Sequence, residues 1–406
     1  MAQMPAAPPP GRPIAITNAT IVPVVGERIP RGTVLIQDGR IAAVGANVSI
    51  PSDATRIDAH GKWVTPGLID GSGQLGLVEI SAVPGTREAS LQGDTIAAAF
   101  NVAEGINPAS TLIPVTRIEG VTTALAVPVG HLVAGQAVLI DLDGATIEQM
   151  LVKSPVGVLA DLSESGKDEA GGSRAGSAER LRRVLRDALE YERRKADFGR
   201  AQMRPLSASA ADLEALLPVL HGREPLIAVA NRRSDIETAL RLAKEFKLKL
   251  VLSGGAEGWQ IASEIAAAGV PVLVEPLDNI PSYDALGIRY DNAALLAKAG
   301  VTVALMETDT HKSRNLRQQA GNAVSYGMTW DQALRSVTLV PAQIFGVADR
   351  YGSLEPGKVA NVVVWSGDPF EFTTGVEHVL IRGKEIPLRS RQTELFERYK
   401  KLPPSY

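Results

Sequence analysis

The sequence predicts an α/β protein: a (β/α)8 TIM-type barrel with a small β-sandwich assembled from both ends of the chain. Three observations carry this. From about residue 68 to residue 340, short apolar strands alternate with helix-length amphipathic segments. The segments before and after that stretch read as β structure. No glycine-rich dinucleotide fingerprint follows an early strand, which counts against an open doubly wound sheet.

The first β segment covers residues 14–65. Residues 16–24 are β-branched, and Asp38-Gly39 between two apolar runs is a two-residue hairpin signal. In the alternating region, 226–229 reads as a strand, followed by a helix to residue 246 opened by a capping box from Ser234 to Glu237. Strands at 248–252, 272–274 and 301–306 follow, with helices at 257–267 and 291–299 between them. A second capping box, Thr329 to Gln332, opens a helix over 331–337. Residues 163–177, rich in glycine, serine and charge, read as a long loop before a helix over 178–198. The resulting division is a proline-rich disordered leader (1–13), a composite β-sandwich (14–65 with 347–388), a barrel (66–346) and a tail (389–406), whose polar stretch 391–402 reads as a short surface helix.

Composition narrows function. With 42 Lys and Arg against 45 Asp and Glu, the net charge of −3 gives no basic excess for nucleic acid and no basic amphipathic run for a membrane surface. The longest apolar runs are strand-sized, far short of the roughly 20 residues of a transmembrane helix. The absence of cysteine removes disulfides, thiolate-bound zinc and thiol nucleophiles. The leader has neither a basic nor an apolar signal region; read as the remnant of a trimmed export signal, it suggests a periplasmic or secreted protein, with a cytoplasmic one as the alternative.

Two blocks resemble a known family. Val64-Thr65-Pro66-Gly67-Leu68-Ile69-Asp70 is similar to the end of the first barrel strand of amidohydrolases. Gly352-Ser353-Leu354-Glu355-Pro356-Gly357-Lys358 and the run to Pro369 are similar to that family's return into the small β domain. The resemblance runs in the family's order from about residue 14 to residue 385, and is greatest to the imidazolonepropionase-like branch. It implies hydrolysis assisted by one or two divalent ions at the C-terminal mouth of the barrel, which acidify a bound water and polarise a carbonyl. The ligands would include a His-x-His pair after strand one, histidines on strands five and six, and an aspartate on strand eight.

Those imidazole positions correspond here to Ser72, Gln74, Val229 and Gly254. Valine and glycine offer no side-chain donor, and serine and glutamine are weak neutral ones. The resemblance therefore implies no resident cofactor beyond at most one weakly held divalent metal. It leaves Asp309, with His311 and Glu164, as candidate acid–base residues, although Thr308 lies one residue from the same strand-eight alignment. Asp70, Gln74, His131, Asn231 and Arg314 are candidate ligand-binding residues. Six of these candidates have a structural alternative: a loop cap for Asp70, a loop-anchoring pair for Asp309 and His311, solvation for Glu164 and Arg314, a satisfied structural histidine for His131. Two functions stay open: a hydrolase of amide, cyclic amide or ester bonds working without the binuclear centre, or a non-catalytic paralogue. The expected partner is a small molecule at the barrel mouth. A homo-oligomer, or pairing with a related amidohydrolase, is expected; nucleic acid and membrane are not.

Overall fold

A computed structural model describes residues 11–401; most of the leader, residues 1–10, and the end of the tail, residues 402–406, lie outside it. The N-terminal segment forms β1 (Ile14–Ile21), β2 (Ile29–Gln37), β3 (Arg40–Gly45), β4 (Thr55–Asp58) and β5 (Trp63–Pro66). The turn between β2 and β3 has Asp38 at φ 50° and Gly39 at φ 74°, both left-handed as a type I′ hairpin requires.

The barrel follows as β6 (Leu68–Gly73), β7 (Val121–Ala126), β8 (Val133–Asp141), β9 (Leu151–Asp161), β10 (Leu226–Ala230), β11 (Leu250–Gly254), β12 (Val272–Val274) and β13 (Val303–Leu305). These strands are neighbours in chain order in one eight-stranded sheet. The alternation is not regular throughout, since β8 runs antiparallel to both β7 and β9 while the other neighbours pair in parallel. The sheet comes round so that β13 meets β6, where the Glu307 N–H donates to Asp70 Oδ1 at 3.0 Å. Gly71 permits this closure: a β-carbon there would lie 2.9 Å from the Leu305 carbonyl oxygen.

The lumen is filled by Ile69, Leu125, Leu159, Ile227, Val251 and Ala304, with Phe345 and Tyr351 in the same cluster. A larger core lies between barrel and helices. The C-terminal strands β14 (Val362–Trp365), β15 (Val376–Ile381) and β16 (Lys384–Ile386) join the N-terminal ones in the order β16-β15-β14-β5-β1-β2-β3, with β4 beside β1. Strand alternation splits β14: Val362 and Val364 pack in the small domain's own core, Val363 and Trp365 against the barrel. Burying such a side chain contributes about 1.5–3 kcal/mol. Gly120 accommodates the Trp365 ring, which would approach a β-carbon there to 2.2 Å.

Two local expectations are corrected. The helix expected from Ser234 spans Arg233–Phe246, capped not by Ser234 but by the distant Glu257 carboxylate, which accepts from the Arg233 N–H at 2.9 Å. The loop expected at 163–177 holds a helix at Glu164–Glu169, and the long helix begins early, at Arg174, with Ser173 as its cap. The Thr329–Gln332 capping box is present as expected, opening the helix Trp330–Ser336. In the tail, Arg391–Tyr399 is helical; the remainder of that expected helix reaches residue 402, outside the described residues. No described helix is long and apolar enough to cross a membrane.

Candidate functional site

A cavity of about 340 Å³ opens where the barrel strands end. Ser72 and Gln74 beside the end of β6, Val229 on β10 and Gly254 at the end of β11 all line it. The four positions at which the resemblance places imidazoles thus converge on one space, as residues at strand ends of a closed barrel must. Among the described residues no three His, Asp or Glu side chains are grouped so as to hold a metal ion.

Part of that space has been taken by another side chain. Gly254 has φ +95°, and a β-carbon on it would lie 2.2 Å from Asn231 Oδ1. The Asn231 amide donates to Asp284 Oδ2 at 3.3 Å. Asp284 in turn accepts from Arg174 at 2.7 Å, and the same guanidinium reaches Glu164 at 2.9 Å and Asp235 at 3.0 Å. Arg174 therefore ties the loop after β9, the helix after β10 and the segment after β12 into one polar cluster beside the cavity. The fan of donors on one planar guanidinium suits three carboxylates at once.

Carboxylates open onto the cavity directly. Asp161, at the end of β9, is 8% exposed; Oδ1 accepts from the Ser163 N–H at 2.8 Å, and burial raises its pKa. Glu275, just after β12, accepts from Thr308 Oγ1 at 2.7 Å. Behind Glu275, in the seam between β13 and β6, lie Glu307 and Asp70, 1% and 0% exposed. Glu307 accepts from Gln319 at 2.8 Å, and its other oxygen has no partner; neither does Asp70 Oδ2. Burial pushes the Asp70 carboxyl up to about 8. Glu307 is raised too, by burial first and then by Glu275. Both acids are thus shifted towards their protonated forms.

The other candidates are dispersed. On the strand-eight side, Thr308 lines the cavity and Asp309 does not. Asp309 Oδ1 accepts from the His311 N–H at 3.0 Å, Lys312 lies 3.6 Å from Oδ2, and the His311 side chain is exposed. Glu164 is paired with Lys167 and Arg174. His131 is buried with Nε2 2.6 Å from the Leu91 carbonyl oxygen, the geometry of an N–H donor, while Glu169 lies 3.8 Å from Nδ1. Arg314 donates to Gln392 of the C-terminal helix at 2.6 Å. Of the candidate acid–base and ligand-binding residues, Gln74 and Asn231 line the cavity, and Glu164 joins Asn231 through Asp284 and Arg174. Asp161 and Glu275 escaped notice, although a carboxylate closing a barrel strand at its C-terminal end is a signal in itself.

The Amidohydrolase family model matches residues 260–386. The crystal structure of an amidohydrolase from Thermotoga maritima superposes with a TM-score of 0.84 at 31% identity, covering 93% of this chain and 100% of that one. The imidazolonepropionase of Paracoccus denitrificans is 28% identical over 88% of this chain and 94% of its own length. The amidohydrolase tasK of Hapsidospora irregularis is 24% identical over 92% of this chain, which spans only 43% of that protein.

Proposed function

The chain belongs to the amidohydrolase family, and from that premise we propose that it is a hydrolase-type scaffold for amide, cyclic amide or ester bonds whose binuclear metal centre has been dismantled. Hydrolysis in this reading is metal-independent, or at most weakly metal-dependent. The observation that supports it is the convergence of Ser72, Gln74, Val229 and Gly254 on one cavity, with Asn231 in the space a side chain at position 254 would need. This donor set does not fit two divalent ions, which need imidazole or carboxylate donors converging on each.

Acid–base work in such a site falls to groups that reach the substrate. Asp161 and Glu275 open onto the cavity, whereas Asp309 and His311, the pair proposed from the sequence, form a turn just beyond Thr308. That displacement favours a second reading, a non-catalytic paralogue that keeps the cavity for ligand binding, alone as a homo-oligomer or beside an active relative.

Metal analysis of the protein purified without added ions tests the proposal. Substoichiometric zinc, iron and manganese are expected, and one or more tightly bound ions per chain would overturn it. Turnover of a panel of amides, cyclic amides and esters by the metal-free protein separates the enzyme from the paralogue, which binds and releases its ligand unchanged.

A further inference from the structure

We propose that the barrel-mouth cavity takes a small organic cation, an ammonium or amidinium group on an apolar body, with the charge held by Asp161 and Glu275. The inference deepens the metal-free reading and rests on it: where divalent ions would neutralise the mouth, its carboxylates are left to a ligand's positive charge.

Charge on the lining supports this. Asp161, Glu275 and Asp278 are its carboxylates, and none has an ion-pair partner among the described residues. The lining's one cation, Arg289, is already engaged: its guanidinium pairs with Asp291, Nη2 to Oδ2 at 2.6 Å, and stacks 4.6 Å from the Trp259 ring centroid. Arg174, behind the lining, is shared among three acids. A cavity walled by protein concentrates the field of unpaired carboxylates and attracts a counter-ion.

The cavity is also built to receive a molecule. Ser72 lines it at 4% exposure, and its hydroxyl has no hydrogen-bond partner among the described residues, leaving it to a ligand. Val127, Leu159, Val229 and Met306 supply an apolar floor. Unpaired acid above an apolar floor suits a hydrophobic amine, whereas a carboxylate ligand would face like charges.

Isothermal titration calorimetry of the full metal-free chain tests this with benzylamine and benzamidine, against benzyl alcohol and benzoate. Both cations are expected to bind, with benzyl alcohol about tenfold weaker and benzoate not detected. Glu275→Gln and Asp161→Asn should each weaken benzylamine binding about tenfold, and a melting curve for each variant confirms that it folds. Should Asp161→Asn fail to fold, Glu275→Gln decides alone. Benzoate binding as well as benzylamine, no cation binding, or affinity unchanged in folded Glu275→Gln would each overturn the proposal. Stoichiometric metal in the same preparation overturns the metal-free reading instead, so the two failures are distinguishable.

Discussion

Asn231 Oδ1 lies 2.2 Å from the place a β-carbon on Gly254 would occupy, so a side chain at position 254 has to push the Asn231 amide off its 3.3 Å bond to Asp284. Gly254→His is therefore expected to cost stability rather than rebuild a metal ligand. It meets Asn231 and forces a non-glycine residue to φ +95°, a conformation costing about 1–3 kcal/mol by itself. Chemical denaturation should show at least that loss, with no rise in bound zinc. Adding Asn231→Gly removes the collision but not the backbone strain, so the double variant recovers only part of the stability. Tight zinc binding by Gly254→His alone would show that the site is not blocked.

Asp70 and Glu307 meet in the barrel seam without a cation. Burial raises the Asp70 carboxyl from the ordinary carboxylate range to about 8, and Glu307 shifts the same way. The folded state thus holds a proton that the unfolded chain releases near pH 4. Stability from this source is fully present below pH 4 and lost as the pH rises towards 8, by at most about 1.4 kcal/mol per pH unit for each group. Asp70→Asn mimics the protonated acid and should flatten the fall in melting temperature between pH 5 and 8. A parallel slope in the variant would remove Asp70 as its cause.

What could be read from the sequence was local. Strand and helix periods placed the barrel, and Thr329 with Gln332 forms its cap from within one turn. The convergence of positions 72, 74, 229 and 254 was legible because barrel-strand ends converge whatever occupies them. Features set by distant partners were not. Glu257, 24 residues from Arg233, displaces Ser234 as a cap, and Arg174, at the start of the long helix, is tied to Asp235 and Asp284 far along the chain. The antiparallel β8 is as apolar as the strands of the barrel that pair in parallel, so composition could not show its direction. The collision of Asn231 with position 254 depends on the close approach of β10 and β11, which no spacing along the chain encodes.

The acid–base assignment can be decided by substitution. Asp309 is engaged by the His311 N–H and Lys312, and its side chain does not line the cavity, so Asp309→Asn and His311→Ala should leave hydrolysis largely intact. Glu275→Gln removes a carboxylate from the cavity wall and should lower turnover about 100-fold or more, the usual contribution of a positioned acid or base. Single-turnover rates on the best substrate of the panel check this. Loss of activity in Asp309→Asn with Glu275→Gln unaffected would return the chemistry to the strand-eight loop.

The small β domain is held to the barrel by a buried acid. Asp141, with 0% exposure, accepts from Thr123 at 2.9 Å, Asn361 at 2.8 Å, Tyr351 at 3.0 Å and Arg382 Nε at 2.7 Å. Asn361 and Arg382 come from the C-terminal β segment, and Asp141 from β8, so the network spans both parts of the fold. Two oxygens satisfied by four donors can offset the desolvation of the charge, but removing the charge leaves the Arg382 guanidinium poorly paired. Asp141→Asn also turns one acceptor into an amide donor facing donors. It should cost about 3–5 kcal/mol in chemical denaturation, the range for breaking a buried pair. Arg382→Met alone leaves the Asp141 charge buried and should be comparably costly, whereas Asp141→Leu with Arg382→Met removes both charges and should recover part of the loss. With Asp141→Leu as the other single variant, a double variant as unstable as Asp141→Leu and Arg382→Met added together would show that the ion pair is not the source of the coupling.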